Sequence, residues 1–350
     1  MARRLAGRLG HLLLVLWAVV SLTFVLFRLM PGDPTLNFLS PSFSEETRAA
    51  LLRSFGLDRS IAEQYVIYMG NLLRGELGMS FLQGKPVAVL LADALPNTVV
   101  LTVVSLVLAY AIGIVAGAFL AFRRGGAIEA AAIPAALATR SAPEFWLGML
   151  LLAALSFQAG WFPTGGALSP GRELGGFGAH LASADFWWHL ALPALTLVLF
   201  SQGLPLLLMR ATMLEVLNDE FITMARMKGL SRWSIVMRHA ARNALLPVVT
   251  AFALGFGASI GGNVVVETVF AWPGIGRVLV QAVQSADYPL AQGAFILIAA
   301  VLVTMNALAD LAYSLLDPRV GRRAPGGHPR RRTGAGPPGP QRWCDFRRGL

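Results

Sequence analysis

A chain of 350 residues that is 55% hydrophobic and only 14% charged is too apolar for an ordinary soluble domain, where about a quarter of residues carry charge. Its formal net charge of +10 does not point to nucleic acid, because much of the excess sits in an Arg-, Gly- and Pro-rich tail at 319–350. The single cysteine, Cys344, excludes a disulfide framework, and no Cys/His cluster with metal-ligand spacing is present.

Apolar runs near or above the ~20 residues that cross a bilayer as a helix recur along the chain. Six are read, at 12–30, 98–122, 127–157, 190–213, 245–270 and 290–316. A transmembrane β-barrel shows shorter alternating segments instead. The expected fold class is therefore all-α integral membrane: six transmembrane helices, a small helical insertion outside the membrane and a polar elbow inside it. The expected organisation is 1–30 (N-terminal segment and first span), 31–97 (insertion), 98–316 (remaining spans, with the elbow at 215–243) and 317–350 (disordered basic tail).

Arg3, Arg4 and Arg8 precede the first run, as in a signal peptide. The run is too long for a typical signal core and no small-residue cleavage site follows it, so it is read as a retained helix. The insertion opens with Pro31-Gly-Asp-Pro34, which ends that helix. Residues 44–53 read as a short capped helix, with Ser44 at the cap and acids in the first turn. Tyr65, Tyr68, Met69, Leu72 and Leu73 give 61–73 helical amphipathic spacing.

Lys and Arg near the spans set the orientation. Arg3, Arg4, Arg8, Arg123, Arg124, Arg226, Lys228, Arg232, Arg238, Arg242 and the tail fall on one side, and the short loops of the other side carry only Arg172 and Arg277. Both termini are expected on the cytoplasmic side. Glycine pairs at Gly113/Gly117 and Gly257/Gly261 mark faces where helix backbones approach closely, within the subunit or with another.

Arg140 and Glu144 interrupt the third run, four residues apart with Pro143 between them. That spacing puts both on one helical face, where they can pair, and by these boundaries they are the ionisable pair well inside a span. Two readings stay open: a break lining a transport pathway, or a self-neutralised pair near the interface.

The cytoplasmic segment 215–243 carries the most information. Asn218 or Asp219 can cap a helix, and Glu220 in its first turn suits the dipole. Phe221, Ile222, Met224 and Ala225 offer apolar surface, and Arg226 and Lys228 stand in the last turn. Gly229 suits the left-handed residue that closes a helix, and Ser231 can cap the next helix, 232–242. Such a helix–glycine–helix elbow either fills a groove on a soluble partner or lies on lipid headgroups. His239 falls in the second helix and is read as structural.

Residues Thr223-Met-Ala225-x-x-x-Gly229 resemble the Glu-Ala-Ala-x-x-x-Gly loop of permease subunits in binding-protein-dependent ABC importers. The resemblance is closest to the subfamily importing dipeptides, oligopeptides and nickel, on Ala225-Arg-Met-Lys-Gly-Leu230 and on His239-Ala-x-Arg-Asn243-Ala-Leu-Leu-Pro247. Other marks follow in order: Met30-Pro-Gly-Asp-Pro34, Gly70-Asn-Leu-Leu-Arg-Gly-Glu-Leu-Gly78, Phe145-Trp-Leu-Gly148, Leu192-Pro-Ala-Leu195, Val266-Glu-Thr-Val-Phe270, Trp272-Pro-Gly-Ile-Gly276, Asp287-Tyr-Pro289 and Leu316-Asp-Pro-Arg319. The Glu of the general loop motif is Thr223 here, so no charged contact is assigned to it.

The resemblance implies a non-catalytic subunit without cofactor, embedded in the lipid bilayer. It implies a second permease, a paralogue by the subfamily's habit, two ATP-binding subunits and an extracytoplasmic substrate-binding protein. Glu220, Thr223, Ala225, Arg226, Lys228, Gly229 and Leu230 are the expected ATPase-coupling residues, and Arg140 and Glu144 the candidate pathway residues. The sequence carries no GxxxxGK[ST] phosphate loop and no HExxH. The rivals are a self-sufficient channel or secondary transporter, which needs no partner, and a membrane-embedded enzyme, which needs a polar catalytic cluster in its spans.

Overall fold

The computed structural model describes residues 2–29, 59–172, 175–260 and 263–316, and these residues fold as helices and connecting turns without a strand. Helix α1 spans Ala2–Leu29 and α2 spans Ile61–Leu73, the latter as the amphipathic spacing predicts. Ser60 and Glu63 close a reciprocal capping box at the start of α2, which satisfies two of the free N–H groups there. The expected helix at 44–53, the Pro31–Pro34 turn and the tail lie outside the described residues.

Helix α3, Val87–Phe122, is the 36-residue centre of the fold. It begins ahead of the expected boundary at 98, because Pro96 is accommodated inside the helix instead of ending it. On it pack α7 (Ala184–Ser201), α8 (Gly203–Val216), α11 (Ala241–Ile260), α13 (Ile275–Gln284) and α14 (Tyr288–Leu316). Between these come α4 (Ala127–Ser141), α5 (Glu144–Leu151), the short α6 (Phe177–Ala182), α9 (Glu220–Met227), α10 (Arg232–Ser234) and α12 (Val264–Val269). The turns widen to π-helical geometry at Leu152–Gln158, after α5, and at Ile235–Ala240, between α10 and α11.

Among the described residues, three helices are long and apolar enough to cross a membrane: α3, α7 and Tyr288–Leu308 of α14. Leu12–Arg28 and Glu144–Gln158 are shorter apolar segments. The expected interruption of the third run, 127–157, is a full break between two helices. Ala142 turns extended (φ −71°, ψ 141°), and Pro143 stands as the N-cap of α5. The expected fourth run, 190–213, starts earlier and divides at Gln202. Pro205 has no N–H to give the carbonyl of Ser201, so the ladder is interrupted there. The fifth run divides into α11 and α12 around residues outside the described set. The second elbow helix does not stop at Arg242 but runs on into α11.

The Gly113/Gly117 pair works within the subunit. A Cβ on Gly113 would stand 2.7 Å from Pro205 Cγ, and one on Gly117 only 2.4 Å from the Leu206 carbonyl of α8. The backbones of α3 and α8 therefore meet at this face, as small-residue packing permits. Gly261, the second member of the other pair, lies outside the described residues.

Candidate functional site

The elbow forms at the end of the bundle where α3 finishes. Helix α9 starts at Asp219, whose backbone is extended while its side chain makes no capping bond. Ile222 is fully buried and Ala225 is 7% exposed, both in a cluster with Met209, Met213, Ile235, Val236 and Ala240. The opposite face carries Met224 at 54% and Met227 at 75% exposure. Ala225 is small because the helix lies directly on the next segment, and a longer side chain would lift it off.

The helix closes as the sequence requires. The N–H of Gly229 donates to the Arg226 carbonyl at 3.0 Å, and the N–H of Leu230 donates to Ala225 at 3.3 Å. Gly229 has φ +75°, with no atom within 4 Å of an added Cβ. Its requirement is therefore purely one of backbone handedness, which costs other L-residues about 1–2 kcal/mol. Ser231 then caps α10 by accepting from the Ser234 N–H at 3.3 Å. Glu220, Thr223, Arg226, Lys228 and Leu230 are all exposed, so the structure brings the seven sequence-predicted residues onto one short projecting element.

What holds this elbow was not read from the sequence. Arg232 donates to the Phe122 carbonyl at 3.1 Å and lies over the Phe122 ring at 4.8 Å. Trp233 meets the same ring edge-on at 6.1 Å. The elbow thus rests on the last turn of α3. Nearby, Glu129 of α4 forms an ion pair with Arg210 of α8 and accepts the Gly125 N–H at 2.6 Å. Ile222 and Ala225 of α9 thus share one cluster with Met209 and Met213 of α8 and Ala118 and Ala121 near the end of α3.

The far end is organised by two buried carboxylates. Glu267, in α12, has no exposed surface. It accepts the Thr98 hydroxyl at 2.6 Å and the Arg277 N–H at 3.1 Å. Thr98 in turn accepts the Ile275 N–H at 2.8 Å. A Cβ on Gly274 would stand 2.4 Å from the Glu267 carboxyl group, so the Trp272–Gly276 turn wraps that group with its backbone. Trp272 is fully buried and donates from Nε1 to the Asn97 carbonyl at 3.1 Å. Asp287 likewise accepts the Ser80 hydroxyl at 2.5 Å and the Phe81 N–H at 3.1 Å, tying the segment before α3 to the start of α14. Both carboxylates stand in motifs quoted above. The signal for their role was an acid within an otherwise apolar stretch, followed by a Gly- or Pro-containing turn.

Arg140 and Glu144 form no ion pair among the described residues, although they remain near enough to interact electrostatically. The break at Ala142–Pro143 puts them on different helices, and Arg140 lies over the Phe200 ring at 5.7 Å. Among the described residues, the ion pair that forms within the expected spans is Glu129–Arg210.

Comparison with known proteins identifies the family of the chain. Residues 113–322 match the family model described as binding-protein-dependent transport system inner membrane component, and residues 1–102 match the corresponding N-terminal family. The chain is 36% identical over 307 residues to the oligopeptide transport system permease protein AppB of Bacillus subtilis (strain 168), covering 87% of this chain and 95% of that one. It is 35% identical over 331 residues to the di/tripeptide transport system permease protein DppB of Pseudomonas aeruginosa (strain UCBPP-PA14), covering 90% and 98%. Among solved structures, a chain of the inward-facing MetNI methionine ABC transporter is similar with TM-score 0.48 and 17% identity, over 65% of this chain and 96% of that chain. The chain belongs to the family of binding-protein-dependent transport system inner membrane components.

Proposed function

We propose that this chain is the transmembrane permease subunit of an ATP-driven importer that moves short peptides into the cytoplasm by alternating access. It crosses the membrane six times, through α1, α3, α4 with α5, α7 with α8, α11 with α12, and α14. Both termini and the elbow face the cytoplasm. Its partners are two ATP-binding subunits, a paralogous second permease and an extracytoplasmic binding protein. The cargo reading draws on the oligopeptide and di/tripeptide permeases to which the chain is similar; nickel complexes are the second cargo of the subfamily it resembles.

The observation that carries the reading is the two-faced elbow. Ile222 and Ala225 lock α9 into the bundle, while Met224 and Met227 are left bare beside Arg226 and Lys228. A short amphipathic helix that offers flexible apolar side chains ringed by cations suits a groove on a soluble protein with an acidic rim. Motion of that protein then reaches α8 and α3 through the contacts at Phe122 and Met213. Arg140 and Glu144, on either side of the break at Pro143, are the proposed pathway residues.

The test is a tagged pull-down from native membranes with mass spectrometry, comparing wild type with Gly229→Pro and Gly229→Asn. Proline fixes φ near −65° and cannot adopt the observed +75°, whereas asparagine tolerates the left-handed region. Wild type and Gly229→Asn are expected to recover an ATPase and a second permease, and Gly229→Pro to lose the ATPase. Absence of any ATPase from the wild-type sample, in detergent that preserves a known importer complex, overturns the proposal.

A further inference from the structure

A second site stands at the end of the molecule opposite the elbow. Helix α2 lies on α1 through aromatic contacts. Phe24 meets Tyr65 edge-on at 5.3 Å and Tyr68 at 5.5 Å, and the Ser21 and Tyr65 hydroxyls are 2.7 Å apart. Arg28, one turn on, lies over the Phe24 ring at 5.4 Å. Between these helices, the segment before α3 and the start of α14 is a cavity of about 330 Å³.

Its lining is mixed, apolar side chains standing beside unpaired polar atoms. Arg28 Nε, Gln64 Oε1 and Tyr68 Oη are buried atoms without a hydrogen-bond partner among the described residues, and all three residues line this cavity. Buried polar groups are nearly always paired, so three orphans around one space call for a group that pairs them. Glu76 also lines the cavity, yet no ion pair joins it to Arg28 among the described residues. The requirement is chemically mixed. Arg28 and Tyr68 offer N–H and O–H donors, while Gln64 Oε1 and Glu76 accept. An anion alone would leave the acceptors empty, and an apolar group would leave all of them empty.

We propose that this cavity binds a zwitterion, with anionic oxygens on Arg28 and Tyr68 and an ammonium on Gln64 and Glu76. Two sources carry that chemistry: the headgroup of phosphatidylethanolamine and a short peptide with free termini. The site does not depend on the importer reading, since either source would occupy it in a chain of any transport class.

The test is calorimetric titration of the purified full-length chain in a non-ionic detergent. The probes are dialanine, dihexanoyl-phosphatidylethanolamine below its micelle concentration, and dihexanoyl-phosphatidylglycerol, which keeps the phosphate and lacks the ammonium. One zwitterionic probe is expected to bind, and its affinity to fall at least tenfold in both Arg28→Gln and Glu76→Gln. The dialanine arm identifies a peptide site and the phosphatidylethanolamine arm a lipid site. Should Arg28→Gln fail to fold by circular dichroism, Tyr68→Phe, which removes only an unpartnered hydroxyl oxygen, is expected to weaken binding several-fold. Three results overturn the proposal: no zwitterionic probe binds, binding ignores every substitution, or phosphatidylglycerol binds as tightly as phosphatidylethanolamine.

Discussion

Glu267 is an acid in an apolar helix, and its surroundings explain why it is kept there. A buried carboxylate costs folding free energy unless donors replace its water. Here Thr98 Oγ1 and the Arg277 N–H do so, and the turn at Gly274 is bare of side chain so that its backbone can close on the carboxyl group. Glu267→Ala would leave those donors facing a void, at about 1–3 kcal/mol for each group left unpaired. Glu267→Gln keeps the shape and one acceptor oxygen but sets an amide N–H₂ against a donor. The expected order of thermal midpoints, read by tryptophan fluorescence in detergent, is wild type, then Gln, then Ala. An alanine variant as stable as wild type would show that the buried carboxylate does not organise this end of the fold.

At the scale of elements, the contact of α3 with α8 decides how the centre of the bundle is built. The Cβ of an alanine at 117 would sit 2.4 Å from the Leu206 carbonyl and 2.9 Å from Met209 Cβ, and main chain cannot swing aside as a long side chain can. Gly117→Ala must push α8 away, and because α8 carries Arg210 and leads into the elbow, the displacement reaches α9. Overpacking of this kind costs about 1–3 kcal/mol. Gly10→Ala, with nothing within 4 Å of its added Cβ, is the matched control and is expected to keep its thermal midpoint. Gly117→Ala is expected to lower both midpoint and uptake, and an unchanged midpoint would show that the two backbones are not held at this distance.

Local chemistry was legible along the chain because each signal sits within a few residues. The α2 spacing, the left-handed Gly229 and the Ser231 cap all follow from neighbours. What escaped is long-range: Glu129 with Arg210, Arg232 on Phe122, and Glu267 with Thr98 join residues far apart in sequence, and no periodicity encodes such pairs. Hydropathy also set boundaries that prolines displace. It merged α7 with α8 across the Pro205 interruption and treated Pro96 as a stop that α3 passes through, whereas the interruption of the third run at Pro143 was legible and is a full break between α4 and α5. Arg140 and Glu144 were paired by helical spacing that the break removes.

For the whole molecule, crossing number and orientation can be separated by three positions. Three proposed crossings, α3, α4 with α5, and α7 with α8, lie between Gln83 and Lys228, so these exposed residues must face opposite sides. Two more, α11 with α12 and α14, lie between Lys228 and Cys344, which must therefore share a side. The chain has only one cysteine, so Cys344→Ser provides a blank background for Gln83→Cys and Lys228→Cys. A membrane-impermeant maleimide on intact spheroplasts is expected to label Gln83→Cys alone. After lysis it is expected to label Lys228→Cys and, in the otherwise native chain, Cys344. The clustering of Arg123, Arg124, Arg226, Lys228 and Arg232 at the elbow end sets that direction, since basic residues resist translocation. Labelling of Gln83→Cys and Lys228→Cys from the same side would mean that the α4–α5 pair does not cross, which the break at Pro143 makes the sharpest alternative to six spans. Labelling of Lys228→Cys alone on intact spheroplasts would invert the orientation and remove the elbow from any cytoplasmic ATPase.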